Sequence, residues 1–164
     1  MAVTVTRKDL GIGKLREDLK RLNDLRVNVG VIGEAAQRQH PNADGATVGE
    51  VANWVHFGTW NIPARPYIDH AIANSRSDVA AASKRAAADL IDGRSAGPEG
   101  ALTRVGEVLM RAVRESIDSA ISWAEPLALS TIAKKGHAAP LVDTGTLREA
   151  TSFEIVPKGG GSDD

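Results

Sequence analysis

The chain has 164 residues, a formal net charge of -1 and no cysteine. That length fits one domain of ordinary size. The charge provides no global field toward nucleic acid or an acidic membrane, and the missing thiols exclude disulfides, cysteine nucleophiles and cysteine-ligated metals.

Hydrophobic residues make up 42% of the chain but aromatic residues only 4%, so the core must be aliphatic and alanine-packed. No apolar run approaches the roughly 20 residues of a membrane span. The opening MAVTVTRKDL lacks the basic-then-apolar order of a signal peptide, so the expectation is a soluble protein made in a cytoplasm.

Residues 3–6, VTVT, alternate and predict a short edge strand. From Asp9 the pattern is helical, with Leu15, Leu19 and Leu22 on one face. RVNVGVIG, Arg26 to Gly33, is the clearest strand, with Val27, Val29 and Val31 turned inward. Glu34 to Ala46 is polar, contains Pro41 and Gly45, and predicts an exposed, mobile loop. Thr47 with Glu50 makes a capping box for a helix whose stripe is Val48, Val51, Ala52 and Val55, ended by Gly58.

GTWNIPARP, Gly58 to Pro66, holds two prolines three apart and predicts a stiff, extended connector. A long alanine-rich helix follows over Tyr67 to Ile91, with Ile68, Ile72, Val79, Ala82, Ala86 and Leu90 on one side. GRSAGP breaks it, and Pro98 suits the first turn of a second long helix to Ile121. STIAKKG adds a turn, and TSFEIV, Thr151 to Val156, alternates as a last strand. The expected architecture is one α+β domain over residues 1–157. It has a small, mostly antiparallel sheet of three to four strands packed against two long helices. Residues 158–164 follow as a flexible, glycine-rich tail.

PLVDTGTLREA, Pro140 to Ala150, raises the chemistry question, because hydrophobic-Asp-Thr-Gly is how an aspartic protease writes its catalytic turn. Such a site needs a second carboxylate about 3 Å away. Only residues 144–164 follow Asp143, too few for a flap and a substrate cleft, and the long helices upstream do not suit that fold. The better reading is a helix cap, with Asp143 and Thr144 before the helix and Thr146 with Glu149 as a second cap register. The four histidines, His40, His56, His70 and His137, form no tight ligand pair, so neither a metal nor another cofactor is expected. GIGK lacks the rest of a phosphate loop. Lys134 and Lys135 with His137 make a small basic knot that, with Arg148, would serve a DNA-contacting module.

Two segments together resemble a known family. WVHFGTWNIPARPYIDHAI is similar to the signature of tailed-phage neck and tail-completion proteins: aromatic-Gly-Thr, then Ile-Pro-Ala-Arg-Pro-aromatic, then a long helix. It maps onto Phe57, Gly58, Thr59, Ile62, Pro63, Ala64, Arg65, Pro66 and Tyr67. PLVDTGTLREATSFEIV is similar to the same family's C-terminal block. The chain departs from the family in carrying Val55-His56 where His-Glu often precedes Phe-Gly-Thr.

The resemblance implies a non-enzymatic virion protein at the phage head–tail junction, assembled in the bacterial host cytoplasm. It would form a homo-oligomeric ring, a hexamer in keeping with tail symmetry. Its partners would be a head-completion or connector protein on one side and a tail terminator or tail tube protein on the other, with DNA passing through the lumen and no membrane involved. A tail terminator capping the tube is the alternative within that class. Candidate interface residues are Phe57, Trp60, Ile62, Pro63, Arg65, Pro66 and Tyr67. Trp60 sits at the tip of the connector as an anchor, Arg65 is available for a carboxylate or for helix carbonyls, and Phe57, Ile62 and Tyr67 either pin the connector to the core or face a neighbour.

Overall fold

A computed structural model of the chain describes residues 11–142 and 144–159. The VTVT strand, Asp143 and most of the glycine-rich tail lie outside the described residues. In chain order the elements are α1 (Ile12–Asn23), β1 (Leu25–Val31), α2 (Glu34–Gln37), α3 (Val48–Phe57), α4 (Tyr67–Ile91), α5 (Pro98–Asp118), α6 (Ala120–Trp123), α7 (Leu129–Lys135), α8 (Thr146–Ala150) and β2 (Thr151–Pro157). The class is α+β.

The sheet among the described residues has two strands, β1 and β2, antiparallel from Leu25 opposite Pro157 to Val31 opposite Thr151, so the expected three to four strands are not confirmed there. The long helices, α4 with 25 residues and α5 with 21, lie against each other, but α5 provides most of the support for the sheet. The inward valines share a face with the β2 residues opposite them, Val29 with Phe153 and Val27 with Ile155. Phe153 lies flat over Gly106 of α5, where any Cβ would collide with the ring. Glycine there lets strand and helix approach closely.

Two apolar clusters run along the α4–α5 pair. Tyr67, Ala71, Val113, Ile117, Ala120 and Leu141 form one, and Ala82, Ala86, Leu90, Ala101 and Val105 form the other. The buried line on α4 is therefore Tyr67, Ala71, Ser75, Ala82, Ala86 and Leu90, and the predicted stripe is displaced in its first half. Ile72 is 43% exposed while Ala71 is buried. The small side chains face α5 because helix axes can come close only across alanine and serine.

The predicted loop from Glu34 to Ala46 is more ordered than expected. It contains α2, Gln39 bridges to Thr47, and His40 N–H donates to Ala46 O at 2.8 Å. Ala36 of α2 packs on Gly49 of α3. No helix among the described residues is long and apolar enough to cross a membrane.

Candidate functional site

The candidate site is the connector between α3 and α4. At its entry, the α3 capping box forms as expected: Glu50 N–H donates to Thr47 Oγ1 at 3.2 Å, and Thr47 N–H donates to Glu50 Oε2 at 2.8 Å. At the exit of α3, Gly58 takes φ of 78°. A Cβ there would lie 2.9 Å from Ala64 N and Ile62 O, so the turn admits glycine for both conformation and space.

The connector is braced by its own backbone and by Thr59. Thr59 N–H donates to Ile62 O at 2.8 Å, and Ile62 N–H donates back to Thr59 Oγ1 at 3.1 Å. The Thr59 hydroxyl donates to Asn61 Oδ1 at 2.8 Å. Arg65 N–H reaches back to Val55 O at 2.8 Å, tying the end of the connector to α3.

Arg65 is buried, which removes it from the set of interface contacts. Its Nε donates to Glu125 O at 3.0 Å and Nη1 to Pro63 O at 3.5 Å. Its acceptors are neither a carboxylate nor helix carbonyls, the two expected roles, but loop carbonyls, and they clamp the connector to the segment after α6. Burial lowers its pKa, partly opposed by the charge of Glu125. Tyr67 is also fully buried and anchors α4 in the core; burial pushes its phenol up to about 12. Ile62 and Pro63 are half-buried and, with Arg65, Glu125, Leu127 and Pro140, help line a cleft of 480 Å³ under the connector. Pro66 is exposed.

Phe57 and Trp60 behave oppositely, at 74% and 96% exposed. Trp54, one helical turn before Phe57, is 40% exposed. The chain has three Trp, two Phe and one Tyr, and half of these aromatics stand at the surface between residues 54 and 60. Sequence reading missed Trp54, although the local crowding of aromatics in an aromatic-poor chain marked it.

Among the described residues the histidine candidates fall at separate places in the fold. His56 is buried between Phe57 and Tyr67, edge-on to both rings at 4.5 and 5.3 Å, and Nε2 lies 3.5 Å from an Asp69 carboxylate oxygen. His70 stacks on Trp123 at 4.2 Å, with Nδ1 3.1 Å from Ser116 Oγ. That Ser–His pair faces the wrong way for nucleophilic catalysis: the Ser116 hydroxyl gives its proton to Tyr67 O at 2.8 Å, so the imidazole is the donor to Oγ. Among the described residues no group of three or more His, Asp or Glu could hold a metal ion.

Two of the expected basic residues, Arg148 and Lys135, are bonded within the chain. Arg148 Nε binds both carboxylate oxygens of Asp118 at 2.9 Å, and Lys135 Nζ donates to Ala139 O at 3.2 Å. Helix α8 is present, but its N-cap is Gly145 at φ of 80°, with no side-chain cap. Glycine takes the left-handed turn that a threonine resists. The Thr144 and Thr146 hydroxyls bond to each other, and Thr146 N–H donates to Thr144 Oγ1 at 3.4 Å. The Thr146–Glu149 box is therefore not formed.

No protein-family model, curated protein or solved structure matches the chain.

Proposed function

We propose that this chain is a structural protein of the tailed-phage head–tail junction. It works as one subunit of a ring that completes the tail and joins it to the head, with the Gly58–Pro66 connector as its contact arm. The observation that carries this reading is Trp60, 96% exposed at the tip of a connector whose backbone is already hydrogen-bonded. A large aromatic in water on an ordered scaffold is the form of an interface anchor: burying it on assembly gains apolar contact, and little conformational entropy remains to be lost.

The resemblance of FGTWNIPARPY and PLVDTGTLREA to neck and tail-completion proteins gives the class of assembly. The net charge of -1 suits a ring lumen through which DNA slides without being held. Ring closure through head-to-tail contacts needs two different surfaces, and the aromatic arm supplies one of them.

Copy number and position in purified particles test the reading. The protein should be present at a few copies per virion and map to the neck, and its absence from mature particles sinks the structural role. Trp60→Ala should leave the isolated protomer's melting temperature within about 2 °C, since the side chain is in water. The same change should yield unjoined heads and tails. Normal joining in that variant would remove the connector from the interface.

A further inference from the structure

Burial keeps Arg65 away from any flat partner surface, but its guanidinium is only partly used. The fork carries five N–H donors. Nε donates to Glu125 O, and Nη1 donates to Pro63 O at 3.5 Å, a long bond. Nη2 bonds to no described residue, and no described carboxylate forms an ion pair with the group. Nη2 nevertheless keeps contact with solvent. The residue as a whole is 5% exposed and lines the 480 Å³ cleft between the connector and α7, so the open end of the fork faces that cleft.

The other polar side chains of the cleft are mostly donors. Asn61 Oδ1 is held by the Thr59 hydroxyl, which leaves the Asn61 amide N–H groups available. Thr131 of α7 is half-buried, and its hydroxyl is bonded to no described residue. Lys135 brings a second positive charge to the same wall, while its Nζ donates to Ala139 O. Glu125 carries the one carboxylate of the described lining, and it is exposed. The walls between these groups are apolar, from Ile62, Pro63, Pro126 and Leu127.

A buried cation with unused donors is costly until an anion meets it. The complement of this cleft is a carboxylate on a short aliphatic stem. Its oxygens suit the fork, and its methylenes suit the proline and leucine walls.

We propose that the cleft receives the side chain of an aspartate or glutamate presented by a partner protein, with its carboxylate bonded to Arg65 Nη2. The proposal rests on the reading of the connector as a contact arm. Two exposed apolar residues adjoin the lining in sequence, Trp60 beside Asn61 and Leu129 beside Ala128, at 96% and 84% exposed. A protein surface that covers them brings its own side chains to the mouth of the cleft. A partner that covers the mouth without an acid leaves the guanidinium sealed in and unpaired, so the cleft selects as well as binds.

NMR titration of the isolated full-length chain tests this, with N-acetylglutamate N-methylamide as the probe and its glutamine analogue as the control at matched ionic strength. The glutamate probe should shift the Arg65 Nε–H signal and the Asn61 and Thr131 amides together. The glutamine analogue should bind about tenfold more weakly or less. Arg65→Lys keeps the charge but loses the fork and should cost about tenfold in affinity. Because Arg65 also holds the connector, Thr131→Val on the opposite wall is the second variant, and it should cost about threefold. Shifts absent from these signals, equal binding of the two probes, or binding that survives both variants overturns the proposal. So does binding that appears only in Glu125→Gln, which would assign the fork to the chain's own acid. Glutarate binding more than about tenfold tighter than the capped glutamate overturns it too, by assigning the cleft to a free acid. Trp60→Ala should leave the titration unchanged, so failure of the contact arm and failure of the cleft are read separately.

Discussion

Trp60 and Arg65 stand five positions apart and have opposite fates. Both are large, and both were candidates for a partner's surface. The guanidinium is drawn inward because the carbonyls of Glu125 and Pro63 converge on it, satisfying a charge that burial would otherwise penalise. The indole of Trp60 has no such pocket. Tyr67 shows how strongly the inner end of the connector is held. Its phenol is raised from 10 to about 12 by burial, so the folded state keeps the proton that the unfolded chain loses first. Stability contributed by the neutral ring is therefore intact below pH 10 and falls as pH rises toward 12. Chemical denaturation should show a loss of about 2–3 kcal/mol across that window, absent in Tyr67→Phe.

At the level of elements, α3 and α8 form an instructive pair, because both were predicted to begin with a threonine–glutamate box. In α3 the box closes, and Thr47 N–H and hydroxyl hold the Glu50 carboxylate below its usual range. Thr47→Ala should cost about 1 kcal/mol in denaturant unfolding. The Glu50 contribution is present above the ordinary carboxylate pKa and is lost as pH falls through the lowered folded value. Glu50→Gln should flatten that acid limb. In α8 the glycine one residue earlier turns the chain left-handed, so the helix starts before the box can align. Local pattern names both threonines as caps; the backbone path through the preceding loop selects between them. The stripe on α4 follows the same logic, since periodicity alone favours Ile72 and the need for closeness to α5 favours Ala71.

Across the whole molecule, the contact of Gly106 with Phe153 sets how near α5 and the sheet can lie. Gly106→Ala should destabilise the fold by about 1–3 kcal/mol through overpacking, and Phe153→Leu in the same chain should recover part of the loss. A melting-temperature series over the two single variants and the double variant reads this directly.

The class, the two long helices with α4 bounded at Tyr67 and Ile91, the α3 capping box and the β1 and β2 segments were legible in the residues, because periodicity, proline and glycine act over a few positions. The aromatic arm was half legible. Two prolines announce a stiff connector, but whether Phe57, Trp60, Arg65 or Tyr67 faces water depends on which carbonyls and rings arrive from α6, α7 and the segments around them. The Glu125 carbonyl that Arg65 reaches comes from 60 residues away in sequence, and no local rule carries it. Strand count is likewise a tertiary quantity, since an alternating segment becomes a strand only when an edge is there to receive it. The sequence by itself determined the main helices and the two paired segments, through short-range sterics and hydrogen bonding. Only the tertiary structure decided which side chains are buried, because burial is set by the packing of distant elements against one another.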